Sequence, residues 1–148
     1  YARGQGVGKD EAEAVKWYRK AADQGIPEAQ IALGDIYQSG GGVPKNETEA
    51  MKWYRSAAER GHASGQSRLG HMYEKGQGVA KDEAEAVKWY RKAAEQGDAF
   101  AQINLGAMYA EGRGVAKDMA EAERWQRKAL DQRFVPAVQE VLRSRGLR

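Results

Sequence analysis

Several residues have the right types for chemistry, and their spacing decides whether they can perform it. Gly40-Gly41-Gly42-Val43-Pro44-Lys45 joins glycines to a lysine, as in loops that cradle phosphate on backbone amides. Such a loop needs Gly-Lys-Ser/Thr and a preceding strand, and neither is present. The same turn also recurs at Gly4, Gly76 and Gly112, which marks a structural connector. His62 and His71 do not share a metal-binding helical spacing, and no cysteine can join them. They are expected to be satisfied or solvent-facing, with no metal site. No serine has a lysine three positions on, so the Ser-x-x-Lys nucleophile is absent. Carboxylate pairs such as Glu11/Glu13 and Glu83/Glu85 fall at helix starts, where capping explains them. No catalytic residue and no cofactor is expected, and the chain reads as a non-enzyme.

The elements that carry these residues repeat. Trp17, Trp53, Trp89 and Trp125 stand 36 residues apart, and Tyr1, Tyr37, Tyr73 and Tyr109 keep the same phase. So do Val7, Val43, Val79 and Val115, and Gly34, Gly70 and Gly106. Residues 1–25 and 73–97 match at 21 of 25 positions. A fixed period of this length implies an all-α solenoid of stacked helix pairs. The aromatics share their stripe with alanines at core spacing, which favours packing over base stacking.

Each unit reads as a helix A, a Gly-x-Gly-Val turn and a helix B. Helix B opens at Asp10/Glu13, Asn46/Glu49, Asp82/Glu85 and Asp118/Glu121, each at capping-box spacing. In the first copy the turn is expected at 4–7, the helix from Asp10, and one apolar stripe at Ala14, Trp17, Tyr18 and Ala21. Gly25 is expected to close it as a left-handed cap, and Pro27 to open helix A, which runs to about Ser39 with Ala29, Leu33, Ile36 and Tyr37 on one side. Gly34 inside that helix costs about 1 kcal/mol relative to alanine, so close approach of the paired helix is expected. Gly65, Ser67 and Arg68 make the helix A of 63–98 the weakest, and it is expected to open first.

One repeat domain is therefore expected over 1–148: a partial repeat at 1–26, full repeats at 27–62, 63–98 and 99–134, and a capping helix at 135–148. Arg133 replaces the glycine that ends earlier B helices, and Pro136 is expected to start the cap. Leu142 stands in the glycine phase, so the cap should dock differently. Tyr1 holds a position that is helical in other copies, so a piece of a longer protein is expected.

Read together, Ala99, Ala101, Leu105, Gly106, Tyr109, Gly112, Gly114, Val115, Asp118, Ala122, Trp125 and Ala129 give a motif that resembles the Sel1-like repeat, a relative of the tetratricopeptide repeat. Arg133, Leu142 and Leu130 depart from it. The resemblance implies a right-handed superhelix with A helices on the concave side and a role in protein–protein interaction, common in bacterial proteins. Cysteine-rich relatives have been labelled penicillin-binding or β-lactamase-like, which implies a weaker cell-wall or β-lactam-binding alternative. The absence of cysteine places this chain with the cysteine-free branch.

Against the fixed frame, one face of helix A varies. It holds Glu28, Ile31, Asp35 and Gln38; Ser64, Ser67, His71 and Glu74; and Phe100, Ile103, Ala107 and Ala110. This face is expected to bind a peptide or helix of another protein, with Phe100 and Ile103 foremost. The competing reading packs Ile31 and Ile103 between adjacent A helices. A structural spacer or self-associating segment is the alternative function.

The chain has 148 residues, no cysteine and a net charge of +3. No apolar run is long enough to cross a membrane. Residues 1–122 carry 17 basic against 18 acidic residues, and 123–148 carry 7 against 3. The excess comes from Arg124, Arg127, Lys128, Arg133, Arg143, Arg145 and Arg148. It reads as a solvated polar end, and neither a nucleic-acid nor a membrane partner is expected. Nothing in the sequence assigns a compartment.

Overall fold

The structure is a computed structural model that describes the backbone of residues 2–146 and the side chains of 10–132 and 143–146. Among these residues there are seven helices and no strand: α1 (Ala2–Asp23), α2 (Pro27–Ser39), α3 (Glu47–Glu59), α4 (Ala63–Lys75), α5 (Glu83–Glu95), α6 (Ala99–Glu111) and α7 (Met119–Ser144). Even-numbered helices are A and odd-numbered helices are B. Each packs on its chain neighbours, and α2 also touches α4. This is an all-α solenoid of helix pairs.

The apolar period builds the core directly. Leu33, Leu69 and Leu105 from the A helices are buried, as are Ala50, Tyr54, Ala57 and their counterparts Ala86, Tyr90 and Ala93 in the B helices. Glycine permits the A–B approach. A Cβ at Gly34 would stand 2.5 Å from Tyr54 Cε1, and one at Gly70 would stand 2.9 Å from Tyr90 Cδ1. Gly65 is likewise a contact and not a gap, since a Cβ there would lie 2.8 Å from Ala57 Cβ.

Polar seams repeat with the same phase. Buried Gln30, Gln66 and Gln102 donate to the carbonyls of Ala22, Ala58 and Ala94 at 3.2, 3.3 and 3.1 Å. Arg19, Arg55 and Arg91 donate to the hydroxyls of Tyr37, Tyr73 and Tyr109, each guanidinium also lying near the ring it bonds. These bonds tie each helix B to the helix A that follows it.

The capping boxes form by half. Glu49, Glu85 and Glu121 donate their backbone N–H to the side chains of Asn46, Asp82 and Asp118, each at 3.1 Å. The N–H groups of those caps bond instead to the carbonyls of Tyr37, Tyr73 and Tyr109 at 2.8, 2.9 and 3.0 Å. That second bond closes the turn and needs an upstream helix A.

Two expectations about the ends are corrected. Residues 4–7 are not a turn, because α1 is continuous from Ala2 to Asp23. In the other units the turn hangs on the tyrosine carbonyl of a preceding helix A, and no helix precedes α1 among the described residues. Without that helix, the stripe of α1 is not covered as a unit either. Trp17 is 66% exposed and Tyr18 is open, while Val15 and Ala22 are buried against the rest. Asp10 lies inside α1 and caps nothing.

The second correction concerns 135–148, which is not a separate helix, since α7 runs through Arg133 and Pro136 to Ser144. Gly25, Gly61 and Gly97 end the earlier B helices with φ of +84°, +86° and +97°. Arg133 has no such freedom: a left-handed residue with a side chain costs about 1–2 kcal/mol. The expected docking of Leu142 lies outside the described side chains.

Candidate functional site: the helix A face

The twelve variable positions do not make one open surface. Glu28, Phe100 and Ile103 are exposed, whereas Asp35, Gln38, Ser64, His71, Ala107 and Ala110 are half-buried. Ile31, Ser67 and Glu74 are buried. Ile31 and Ser67 hold the same phase as Ile103, and their exposures are 8%, 3% and 51%. In the second and third units another helix A follows, and in the fourth none does among the described helices. The position is therefore a seam between A helices.

Around these positions the A helices meet the B-helix tyrosines in two polar networks. In the first, the Tyr54 hydroxyl donates to Asp35 Oδ1 at 2.5 Å and reaches Gln38 Oε1 at 3.0 Å. Arg68 grips the same carboxylate with both arms, Nε to Oδ1 at 2.7 Å and Nη2 to Oδ2 at 3.1 Å. Burial, reinforced by Asp35, pushes the Tyr54 hydroxyl far above its usual range and keeps it a donor. Burial alone would lower the Arg68 pKa, but its bonds and charge pairing with Asp35 leave it raised.

The second network lies one unit on. Tyr90 Oη donates to Glu74 Oε1 at 2.9 Å, and Arg113 Nη1 reaches Glu74 Oε2 at 3.0 Å and Glu83 Oε2 at 3.3 Å. Arg113 Nε also bonds Glu111 at 2.6 Å. Glu74 is thus a buried carboxylate held by an arginine from the next unit's turn. The Tyr90 hydroxyl is pushed up by burial and by Glu74. The series then stops. Gln126 replaces the tyrosine, Ala107 and Ala110 replace the acceptors, and the fourth unit presents an apolar face.

Phe100 stands where polar and apolar halves meet. Its ring is edge-on to His71 at 5.9 Å and to Tyr90 at 6.4 Å between centroids. On one side is a depression of about 310 Å³ lined by Ser67, Arg68, Asp98 and Phe100. On the other is one of about 400 Å³ lined by Ala99, Phe100, Ile103, Ala129 and Gln132. His71 is half-buried, with Nδ1 enclosed and lacking a hydrogen-bond partner among the described residues. Burial lowers its pKa; Glu74 opposes that shift and Lys75 adds to it. His62 Nε2 lies 3.5 Å from Glu28.

Among the described residues, no cluster of His, Cys, Asp and Glu could hold a metal ion, and no helix is long and apolar enough to cross a membrane. Sequence reasoning missed Arg113 and the tyrosine hydroxyls. The signal lay in paired changes 39 residues apart: Gln38 with Gln77, bonded at 3.3 Å, becomes Glu74 with Arg113.

Comparison with known proteins returns the same architecture. The structure is similar to a protective antigen of uropathogenic Escherichia coli strains that displays an SLR fold, at 45% identity and a TM-score of 0.80. It is also similar to a Sel1 repeat protein from Oxalobacter formigenes, at 40% identity and 0.77. Each alignment covers 82% of this chain, which spans 26% and 48% of those two chains. Cysteine rich protein B of Helicobacter pylori is similar at 28% identity and 0.66, over 84% of this chain and 89% of that one. No curated protein matches the sequence. The family model for the Sel1 repeat matches at 1–26, 27–62, 63–98 and 99–134, end to end without a gap. With four consecutive repeats, the chain belongs to the Sel1 repeat family.

Proposed function

We propose that this segment is a non-enzymatic adaptor that binds a peptide or helix of another protein along its A-helix face, anchored at Phe100. Sel1 repeat proteins are typically non-enzymatic scaffolds that bind other proteins, so the class of function follows from the family. The observation that supports the site is Phe100 itself: a large ring, 50% exposed, braced by two other rings between two depressions. Rigid aromatics at the centre of a groove dominate interface energy. The bonded polar networks beside it, already satisfied internally, would orient a partner more than hold it.

Affinity capture from lysate of the source organism, with the native chain and Phe100→Ala side by side, tests this. A protein retained by the first and lost with the second supports the anchor. Equal retention by both places the partner elsewhere.

A self-associating segment is the second reading, favoured by the bare face of α1, where Trp17 and Tyr18 are exposed. Light scattering over a concentration series would show a dimer, and Trp17→Lys would remove it.

A further inference from the structure

The face of the fourth unit that lies open is the face on which every earlier unit receives a helix A. In the second and third units the seam residues Ile31 and Ser67 are buried, and the next helix A crosses at Asp35 and Arg68. At the end of the stack Ala99, Phe100, Ile103, Ala129 and Gln132 line a depression of about 400 Å³ on a continuation of that interface. Its natural occupant is a helix A.

The segment that follows α7's packed part has the pattern of one. With the period of 36, Ala137 falls in the phase of Ala29 and Ala101, and Val141 in the phase of Leu33, Leu69 and Leu105. Where the earlier seams bury a glutamine that donates to an alanine carbonyl eight residues back, this one has Val138 and Leu130, so both sides of the seam turn apolar together. Leu130 is exposed while α7 is straight.

Backbone energetics point the same way. Straight α7 holds Pro136 in its interior, which disfavours that form by on the order of 100-fold through the lost hydrogen bond and the ring clash. Folding back at Arg133 would instead place Pro136 in the first turn of a new helix, as Pro27 is placed in α2, where proline is tolerated. The left-handed residue needed at Arg133 disfavours the bend by roughly tenfold. Together the two terms favour the bend by roughly tenfold, and burial of the seam adds to that.

We infer that Pro136–Arg145 has a second seat, folded back onto the Ala99/Ile103/Ala129 face as a fifth helix A that closes the stack. Ile103 is then an internal seam residue like Ile31. Phe100 borders that seat, and its phase mates Glu28 and Ser64 are exposed and half-buried, so the folded-back helix lies beside the adaptor reading's anchor while its own test reads the helix position alone.

Adding two periods to the Asp35/Arg68 contact gives Ala107 and Glu140 as neighbours in the folded-back form. In straight α7 they are roughly 20 Å apart along the axes, taking Gln102 opposite Gln132 and 1.5 Å per residue. The absence of native cysteine makes Ala107→Cys/Glu140→Cys a clean pair in the full 148-residue chain, probed with a bismaleimide too short to span that distance. Asp35→Cys/Arg68→Cys serves as the positive control for reach, and circular dichroism checks that each variant folds. A crosslinked monomer is the expected result, formed at least tenfold more slowly when Pro136→Ala relieves the straight helix. No crosslink where the control reacts would overturn the inference. A crosslinked dimer would overturn it in favour of a second copy's helix, and a rate unaffected by Pro136→Ala would overturn it by removing the proline's role.

Discussion

Gly70 lies against the ring of Tyr90, with room for a hydrogen but not for a methyl group. The same pairing joins Gly34 to Tyr54, and in the fourth unit it loosens to Gly106 against the flexible side chain of Gln126.

A graded response to alanine follows. Alanine gains about 1 kcal/mol of helix propensity at each site, and overpacking a core costs about 1–3 kcal/mol. Gly34→Ala, with 2.5 Å to a fully buried ring, should lose about 1–2 kcal/mol net. Gly106→Ala should be near neutral, although the Ala122 carbonyl at 3.1 Å keeps it from gaining the full propensity. Urea melts of both variants check the order.

The buried Glu74 carboxylate depends on Arg113. Arg113→Ala leaves that charge with only the Tyr90 hydroxyl, at an expected cost of about 2–4 kcal/mol. Adding Glu74→Gln should recover more than half, because the neutral amide has no charge to strand. A double-mutant cycle by denaturant unfolding reads the coupling, and additive losses would show the pair to be independent.

His71 sets a pH dependence. Its pKa in the folded chain lies below the unfolded value near 6.5, so the folded chain resists protonation. Its contribution is present above that value and falls as pH drops through the window down to the folded pKa. Thermal unfolding between pH 7.5 and 5 should show a loss that His71→Gln abolishes, against the background of the carboxylates.

Opening should differ among the A helices. The sequence of α4 suggests early fraying, yet Gly65 sits tight on Ala57 and Arg68 is clamped to Asp35. Amide exchange should therefore protect α4 at least as well as α6, whose seam residue Ile103 is uncovered. Faster exchange in α4 would show that composition outweighs these contacts.

Much of the fold is legible in the sequence, because each repeated residue answers a repeated contact: Gly34 to Tyr54, Gln30 to Ala22, Arg19 to Tyr37. The site is less legible. Ile31 and Ile103 are the same residue in the same phase, and only the presence of a following helix separates buried from open. The path of 133–144 is ambiguous for a local reason, since Arg133 favours continuing the helix and Pro136 favours ending it. The half-formed capping boxes escape a local reading as well, because the second partner of Asn46 is a carbonyl nine residues back at Tyr37.

The four tryptophans, one per unit, sit in three kinds of surroundings: Trp17 is open, Trp53 is half-buried, and Trp89 and Trp125 are enclosed. Their indole emission therefore carries an address. Melting that starts at the α1 end would barely shift the spectrum, because Trp17 already reports water. Melting from the α7 end would redden it at once through Trp125, so the colour of early unfolding names the end of the chain at which it begins.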